Sequence, residues 1–226
     1  MIRKQSAMAH VLAALLLFAT APAAAEEPEP DFAPAKALLD AGQFDEAAAS
    51  FHRLAEHYAA RYQRSEQQKY YCSDGGAEAL LYLTTAAADG VSAVVVDTDW
   101  CEALFMQAYA QVEAKKLALA VAPLEEVLEL APYNATYANE YGFVLSRLGR
   151  LDEGMEAYRQ ALDAAKLGDG DDQNAAVAWR GIGWIHSDRR EWDAAEQALR
   201  ESLKIEPDSA MALGELDYIA QQRASD

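Results

Sequence analysis

The residues that could carry out catalytic chemistry occur at unsuitable spacings. His186, Ser187 and Asp188 are the three residue types of a nucleophilic triad, but they follow one another directly. Consecutive residues on a helix point about 100° apart, so their side chains cannot form the hydrogen-bonded relay that activates a serine. His52 and His57 lie five positions apart and do not share a helix face well enough to bind a metal. We therefore expect no catalytic residue and no histidine metal site.

An acidic stretch, GDGDDQN, offers carboxylates to a cation. Asp169 and Asp171 would occupy positions 1 and 3 of a calcium-binding loop. Such a loop also needs glycine at position 6 and glutamate at position 12, where this chain has Asn174 and Arg180. The sequence also lacks a glycine-rich phosphate loop, an H-E-x-x-H helix and a G-x-S-x-G turn. We expect a solvated turn at this stretch, no bound metal, no other cofactor and no enzymatic activity.

The first 25 residues have the composition of a secretory signal peptide. Arg3 and Lys4 precede an apolar run over residues 11–20, and small residues stand at Ala23 and Ala25. The apolar run is about half of the ~20 residues that a membrane-spanning helix needs. We expect cleavage after Ala25 and a periplasmic or secreted protein without a transmembrane segment. No cysteine follows the cleavage position directly, so a lipid anchor is not expected.

The charge of the chain is strongly negative. It has 19 basic and 37 acidic residues, for a formal net charge of −18, and loss of Arg3 and Lys4 with the signal peptide changes this to −20. Nucleic acids and anionic membrane surfaces need clustered lysine and arginine, so neither is expected as a partner. A partner surface should be basic or apolar.

Two cysteines, Cys72 and Cys101, are the only thiols in the sequence. Two thiols are too few for structural zinc, and they lack the C-x-x-C spacing that tunes thiol acidity for redox work. Because export exposes the chain to an oxidising compartment, we expect a structural disulfide. Two unpaired buried thiols are the alternative, followed by a redox role. A disulfide that closes a loop of about 30 residues stabilises a fold by roughly 3.5 kcal/mol in the chain-entropy description.

Small residues recur at a regular period. Gly142 has small counterparts in Ala108, 34 residues earlier, and in Gly183, 41 residues later, where the acidic stretch accounts for seven extra residues. A second small residue follows each after twelve positions, and a bulky residue comes four later: Ala120, Gly154 and Ala195, then Leu124, Tyr158 and Leu199. Glycine inside a helix costs about 1 kcal/mol relative to alanine and needs a packing reason. The pattern predicts antiparallel helix pairs in which the small residues allow close approach and the bulky residue packs between the helices.

This pattern resembles the tetratricopeptide repeat family, whose 34-residue signature is W-x₂-L-G-x₂-Y, A-x₃-F and P. The last unit carries the best match, at Trp179, Ile182, Gly183, Ala195, Leu199 and Pro207. His186 stands where the signature has tyrosine, and Lys166 stands where the preceding unit should end in proline. The resemblance implies an all-α fold, a right-handed α-solenoid of antiparallel helix pairs with an irregular insert and a C-terminal capping helix.

The repeat register divides the chain into consecutive ranges. They are a signal peptide at 1–25, an acidic proline-rich leader at 26–33, a degenerate first repeat at 34–58, an insert at 59–98, three repeats at 99–132, 135–166 and 176–207, and a capping helix at 208–223. This division predicts four repeat units in total, of which the first is the least regular.

The insert contains one predicted helix and one apolar run. The stretch YCSDGGAEALLYLTTAAADG predicts a helix that begins after Ser73 or Asp74 and ends at Gly90. The run VSAVVVD is too short to assign and is either an extended segment on the helices or an edge strand. A bridge between Cys72 and Cys101 would tether both ends of this helical insert to the solenoid.

In the resembled family, the first helix of each pair lines a concave groove. Position nine of each well-formed repeat here is aromatic, at Tyr109, Phe143 and Trp184. Their expected neighbours on that face are Phe105, Met106, Asn139, Glu140, Arg147, Arg180 and Asp188. The resemblance implies a partner-binding groove in which the aromatics stack and Asn139 and Arg180 donate hydrogen bonds. The aromatics could equally pack against the next repeat, because spacing does not separate these two faces of a helix.

The function implied by the resemblance is non-catalytic. We expect a scaffold or adaptor of the cell envelope that binds a protein or peptide partner on its concave face. The alternative is a small-molecule or lipid-binding protein with a pocket between the groove and the 59–98 insert. Exposed terminal repeats also leave self-association open.

Overall fold

The computed structural model describes residues 30–65, 67–73, 75–167 and 172–225. The expected signal peptide, its cleavage position and half of the expected leader, residues 26–29, lie outside these ranges. The same is true of Asp169 and Asp171, so the expectation of a solvated turn at that stretch stays a prediction. In the ranges that are described, no helix is both long enough and apolar enough to span a bilayer.

Ten helices and two strands account for most of the described chain. The helices are α1 (Ala33–Asp40), α2 (Phe44–Arg61), α3 (Gly76–Ala88), α4 (Asp99–Glu113), α5 (Leu117–Leu130), α6 (Ala135–Arg147), α7 (Leu151–Leu167), α8 (Asp172–Asp188), α9 (Trp192–Ile205) and α10 (Ala210–Ser225). The strands are β1 (Gln68–Cys72) and β2 (Ser92–Val96). Pairs α1–α2, α4–α5, α6–α7 and α8–α9 pack in succession, and α10 covers α9. The predicted all-α solenoid is confirmed.

The turn inside each helix pair has the same geometry. Its last residue takes a left-handed conformation with φ between 60° and 78°, at Gly42, Lys115, Gly149 and Arg190. The residue that follows donates its backbone N–H to the carbonyl five positions earlier in all four turns. This is a common way to satisfy the last carbonyls of a helix, and glycine adopts it most easily. The turn geometry therefore repeats even where the sequence has a lysine or an arginine.

The small residues of the repeat lie where the helices approach most closely. A Cβ added to Gly142 would lie 2.9 Å from the Tyr158 ring, and one added to Gly183 would lie 2.8 Å from Cγ of Leu199. Ala108 is fully buried in the cluster that contains Leu124. Gly142 and Gly183 thus each face the bulky residue of their own partner helix, and Ala108 shares a buried cluster with Leu124, in agreement with the predicted packing.

The insert is a β-α-β unit. Strands β1 and β2 pair in parallel with Tyr71 opposite Val95, and α3 connects them. One face of this sheet packs against α3, where Tyr71 stacks on Tyr82 with ring centroids 4.7 Å apart. On the other face Cys72 and Val96 join the core of the solenoid. The second face is covered at its Cys72 and Val96 end, whereas Val94 on the same face is 39% exposed. The apolar run is therefore a strand, which is one of the two conformations that the sequence left open, and β1 is a second strand that the sequence analysis did not predict.

The disulfide is the covalent link between insert and solenoid. Cys72 at the end of β1 and Cys101 in the first turn of α4 are bonded, with their Cα atoms 6.2 Å apart. A stack of Tyr82 on Tyr133, with centroids 5.5 Å apart, adds a second attachment, to the loop after α5. The predicted disulfide is confirmed, and it fixes the insert at the point where the second repeat begins.

Candidate functional site

A groove of about 860 Å³ opens along the first helices of the last two repeats. Helix α6 contributes Phe143, helix α8 contributes Val177 and Trp184, and helix α10 contributes Met211. The turn after α4 contributes Lys115. Phe143 is 40% exposed and Met211 is 72% exposed. Large apolar side chains that face one concavity in this way are typical of a binding site for a ligand with apolar groups.

The structure brings together six of the ten residues that the sequence places on the concave face. The six that line the groove are Asn139, Glu140, Phe143, Arg147, Arg180 and Trp184. These residues belong to α6 and α8, so the groove is built by the two most regular repeats and closed by the capping helix.

The other four predicted residues do not line this groove. Phe105 packs against Tyr137 with ring centroids 4.9 Å apart, and Met106 packs beside the buried cluster around Phe51. Tyr109 is 38% exposed but lies one helical turn before the part of α4 that reaches the groove. Asp188 is exposed at the C-terminal end of α8. Phe105 and Met106 thus have the packing role that the sequence left open as an alternative.

Two predicted hydrogen-bond donors are engaged within the chain. The Asn139 side-chain amide donates to the backbone oxygen of Asn174 at 3.0 Å and to its Oδ1 at 3.1 Å. The Arg180 guanidinium donates to Ser202 Oγ at 3.3 Å and forms an ion pair with Glu206. Asn139 therefore ties α6 to the start of α8, and Arg180 ties α8 to the end of α9. Both position the groove walls, and the expectation that they also donate hydrogen bonds to a partner stays a prediction.

Two cations of the groove carry no such internal contact. Within the described ranges, neither Lys115 nor Arg147 has an ion-pair or hydrogen-bonding side-chain partner. The acidic residues on the same surface are Glu113, Glu140 and Glu215. Lys115 and Arg147 are thus the positive groups that remain available to an acidic ligand, in a chain whose overall charge is strongly negative.

Tyr158 forms part of the groove wall, a role that its position in the repeat did not reveal. Its ring lies between Gly142 of α6 and Gly181 of α8, and a Cβ added to Gly181 would lie 2.2 Å from its Cζ atom. Burial raises the pKa of the Tyr158 hydroxyl, which stays neutral across the physiological range. The pair Gly181 and Gly183 on one helix is the sequence signal that could have indicated this second close approach.

Glu140 gives the chain a testable pH dependence. Burial raises the pKa of its carboxyl, and the nearby charge of Glu113 raises that pKa further. The folded chain therefore binds more protons than the unfolded chain between the two pKa values, so stability falls as pH rises through that window. We expect Glu140→Gln to be more stable than the parent at pH 7 and to lose this advantage below the unfolded pKa of about 4.3. Urea unfolding of both proteins from about pH 4 to about pH 8 measures the difference.

Glu153 supplies a control of opposite sign. A hydrogen bond from Arg150 lowers the pKa of the Glu153 carboxyl, so Glu153→Gln should not stabilise the chain at pH 7. The effect should be small, because the pair is exposed and screened by solvent. A Glu140→Gln protein that is no more stable than the parent at pH 7 would contradict the expected burial penalty.

Comparison with known proteins places the repeats in one family. Two family models, both described as tetratricopeptide repeat, match residues 102–132 and residues 133–207. No curated protein matches the sequence significantly. Together the two matched stretches include α5 to α9 and nearly all of α4.

Solved structures with a similar fold have low sequence identity to this chain. The MamA protein is 12% identical with a TM-score of 0.57, over 85% of this chain and 80% of that chain. BtubC from P. vanneervenii is 13% identical with a TM-score of 0.52, over 84% of this chain and 77% of that chain. The first TPR of Spaghetti (RPAP3), bound to the HSP90 peptide SRMEEVD, is 18% identical with a TM-score of 0.50, over 57% of this chain and 97% of that chain. The repeat register, the packing of its small residues, and the two family matches agree: this chain belongs to the tetratricopeptide repeat family.

Proposed function

We propose that this chain is a non-catalytic scaffold that binds an extended segment of a protein partner in the groove between α6, α8 and α10. The observation that carries this proposal is the exposure of Phe143 and Met211 on one concave surface, with Trp184 beside them. A soluble domain exposes clustered large apolar groups at the expense of its solubility, so such clusters generally mark interaction sites. A volume of about 860 Å³ is large enough to hold several side chains of a peptide.

The polar groups of the groove carry both signs of charge. Its carboxylates, Glu113, Glu140 and Glu215, suit the basic partner surface that the net charge of the chain predicts, and its two unengaged cations suit an acidic side chain. Phe143 and Trp184 provide aromatic faces for an apolar side chain, and Lys115 and Arg147 provide positive charge for a carboxylate. The Spaghetti repeat domain is bound to the peptide SRMEEVD, which contains three acidic residues. That complex supports the general mode of binding by analogy, while the partner of this chain is a separate question.

The position of the groove also bears on the alternative function. A small-molecule or lipid pocket between the groove and the insert would be lined by residues of both. The residues that line the groove all lie between Val112 and Glu215 in the sequence. None of the described lining residues belongs to the 59–98 insert. The geometry therefore favours the peptide-binding scaffold over that alternative.

The proposed place of action is the cell envelope or the extracellular space. The signal-like N-terminal sequence supports export, and the disulfide supports an oxidising compartment. Fractionation of cells that produce the chain, with mass determination of the processed N-terminus, tests this location.

A comparative capture experiment tests the groove. The parent and a Phe143→Ala/Trp184→Ala variant are cross-linked to an extract of the compartment in which the chain resides, and captured partners are quantified by mass spectrometry. We expect the double variant to retrieve specific partners at least about tenfold less, because aromatic anchors commonly dominate such interfaces. Binding by the parent should also weaken as salt rises, if Lys115 and Arg147 contribute.

Tyr109→Ala is the matched control for this experiment. Tyr109 has the same repeat position and nearly the same exposed fraction as Phe143, 38% against 40%, but lies outside the groove. The Tyr109→Ala variant should retrieve the same partners as the parent, in the same amounts. Equal retrieval by the double variant and the parent would refute the groove as the binding site.

A further inference from the structure

Two carboxylates of the groove have no positive partner within the described part of the chain. Glu140 on α6 and Glu113 at the end of α4 both line the groove. Neither forms an ion pair or accepts a side-chain hydrogen bond from the residues that the structure describes. Burial raises the pKa of the Glu140 carboxyl, and the charge of Glu113 raises that pKa further. A carboxylate removed from water without a partner costs stability, so these two groups point to a positive group from outside the chain.

Asn139 adds an unsatisfied acceptor next to Glu140. It is 5% exposed and lines the groove. Its amide nitrogen donates to Asn174, but its Oδ1 atom is buried and no donor of the described residues lies within hydrogen-bond distance. Buried acceptors in folded proteins nearly always have a donor, so an unpaired one is a specific observation to explain. A ligand with several N–H groups can supply the missing donor.

An aromatic side chain lies beside these acceptors. Phe143 follows Glu140 by three positions, so the two share one face of α6. Phe143 is 40% exposed, and Trp184 of α8 lines the same groove. A guanidinium group donates hydrogen bonds in its plane and stacks on an aromatic ring through its face. An ammonium group has no such face and is more strongly hydrated. The combination of a carboxylate and an aromatic ring therefore favours arginine over lysine.

We propose that Glu113, Asn139, Glu140 and Phe143 form an arginine subsite, which binds an arginine side chain of the partner segment. The five N–H donors of a guanidinium are enough for the Glu140 carboxylate and for Asn139 Oδ1. Its face can then lie against Phe143. The formal net charge of −18 also attracts a basic segment. This inference rests on the proposed function, because it assigns one subsite within the proposed groove.

The free cations of the groove do not already fill this subsite. Arg147 lies seven positions after Glu140, about two turns further along α6. Lys115 lies in the turn after α4, and neither cation forms an ion pair with Glu113 or Glu140. The arginine subsite and these two cations are thus separate features of one groove, and a partner segment can use both.

Blocked peptides of the form acetyl-Leu-Ala-X-Ala-Leu-amide test the subsite, with arginine, citrulline or lysine at X. Citrulline has nearly the shape of arginine but no charge. Titration of the isotope-labelled protein, followed by NMR, measures each dissociation constant and locates the backbone amides that respond. The arginine peptide should bind the parent at least about fivefold more tightly than the citrulline peptide, because its hydrogen bonds to a carboxylate are charge-assisted. It should also bind more tightly than the lysine peptide and shift the amides of residues 139–143.

Glu140→Gln removes one charge of the subsite and keeps the shape of the side chain. Its preference for the arginine peptide over the citrulline peptide should fall to about twofold or less, since the variant lacks the carboxylate that distinguishes them. This variant is expected to be more stable than the parent at pH 7, so unfolding would not explain the loss. Glu46→Gln is the matched control, because Glu46 is an exposed residue of α2 outside the groove. The control removes the same charge and should keep the preference of the parent.

Several results would overturn the arginine subsite. They are a lack of binding by the arginine peptide, equal affinity for the arginine and citrulline peptides, a lysine peptide that binds as tightly as the arginine peptide, and a preference that Glu140→Gln retains or that Glu46→Gln also loses. None of these results refutes the groove. The capture experiment with Phe143→Ala/Trp184→Ala tests the groove itself, so failure of the subsite and failure of the proposed function are distinguishable.

Discussion

The free energy of unfolding of the Cys72→Ala/Cys101→Ala protein should be about 3.5 kcal/mol lower than that of the parent. The disulfide closes a loop between residues 29 positions apart, so its loss returns conformational freedom to the unfolded chain. Both cysteines are almost completely buried. Alanine is the suitable replacement, because a serine hydroxyl buried there would lack a hydrogen-bond partner. Urea unfolding followed by circular dichroism measures the difference.

The destabilisation should be concentrated in the insert. The insert is held to the solenoid by the disulfide, by the contacts of Tyr70 and Val96 with the core around Trp100, and by the stack of Tyr82 on Tyr133. Helices α6 to α9, in contrast, have their own packed cluster. Hydrogen exchange in the alanine variant should therefore rise over β1 and β2 and change little in α6 to α9. Reducing the parent with a thiol should reproduce both results, which separates the effect of the bond from that of the substitutions. A loss of stability below about 1 kcal/mol would show that loop closure contributes little here.

The solenoid was predictable because its contacts are close together in sequence. The glycine at 142 meets Tyr158, and the glycine at 183 meets Leu199, each only 16 positions along the chain. A pair of helices joined by a short turn must place such residues near each other, so a regular sequence period translates directly into a regular packing. The left-handed residue of each turn was harder to predict from the sequence, because it is a glycine in only two of the four turns and is Lys115 or Arg190 in the other two.

The β1 strand was not predictable in this way. Its sequence, QKYYC, has neither a long apolar run nor a clear alternation of polar and apolar residues. Its parallel partner starts 24 residues later, after α3, so no short-range sequence pattern connects the two strands. Val94 and Val95 indicated an extended segment, but nothing local indicated its neighbour.

The site was predictable in its location and not in its detail. The repeat register located Phe143 and Trp184 on the correct helices, but the choice between groove and core depends on where the neighbouring helices end. Tyr109 falls outside because the groove begins about one turn later, at Val112. The partners that occupy Asn139 and Arg180 come from Asn174 and Glu206, and no pattern in the sequence identifies those contacts in advance.

Replacing Gly181 with alanine should destabilise the chain by about 2 kcal/mol, whereas Gly214→Ala should stabilise it by about 0.5–1 kcal/mol. Both glycines lie inside helices without a positive φ, so both substitutions gain the same helix propensity. They differ in the space for a methyl group. At Gly181 the new Cβ would lie 2.2–2.5 Å from three atoms of the Tyr158 ring, and at Gly214 it would meet nothing within 4 Å.

The sign at Gly181 depends on whether the Tyr158 ring can move aside. On its other side the ring already lies against Gly142, where an added Cβ would be 2.9 Å from Cδ1 and Cε1. The ring is therefore confined between α6 and α8, and relief of the clash requires these two helices to separate. The double variant Gly181→Ala/Tyr158→Leu should then lose less stability than the two single changes added together, because the smaller side chain leaves room for the methyl group. Urea unfolding of the parent, the two single variants and the double variant at one pH measures this difference. Equal stabilisation by Gly181→Ala and Gly214→Ala would mean that the ring rotates away freely, and the close approach of α6 and α8 would then not be what requires glycine at position 181.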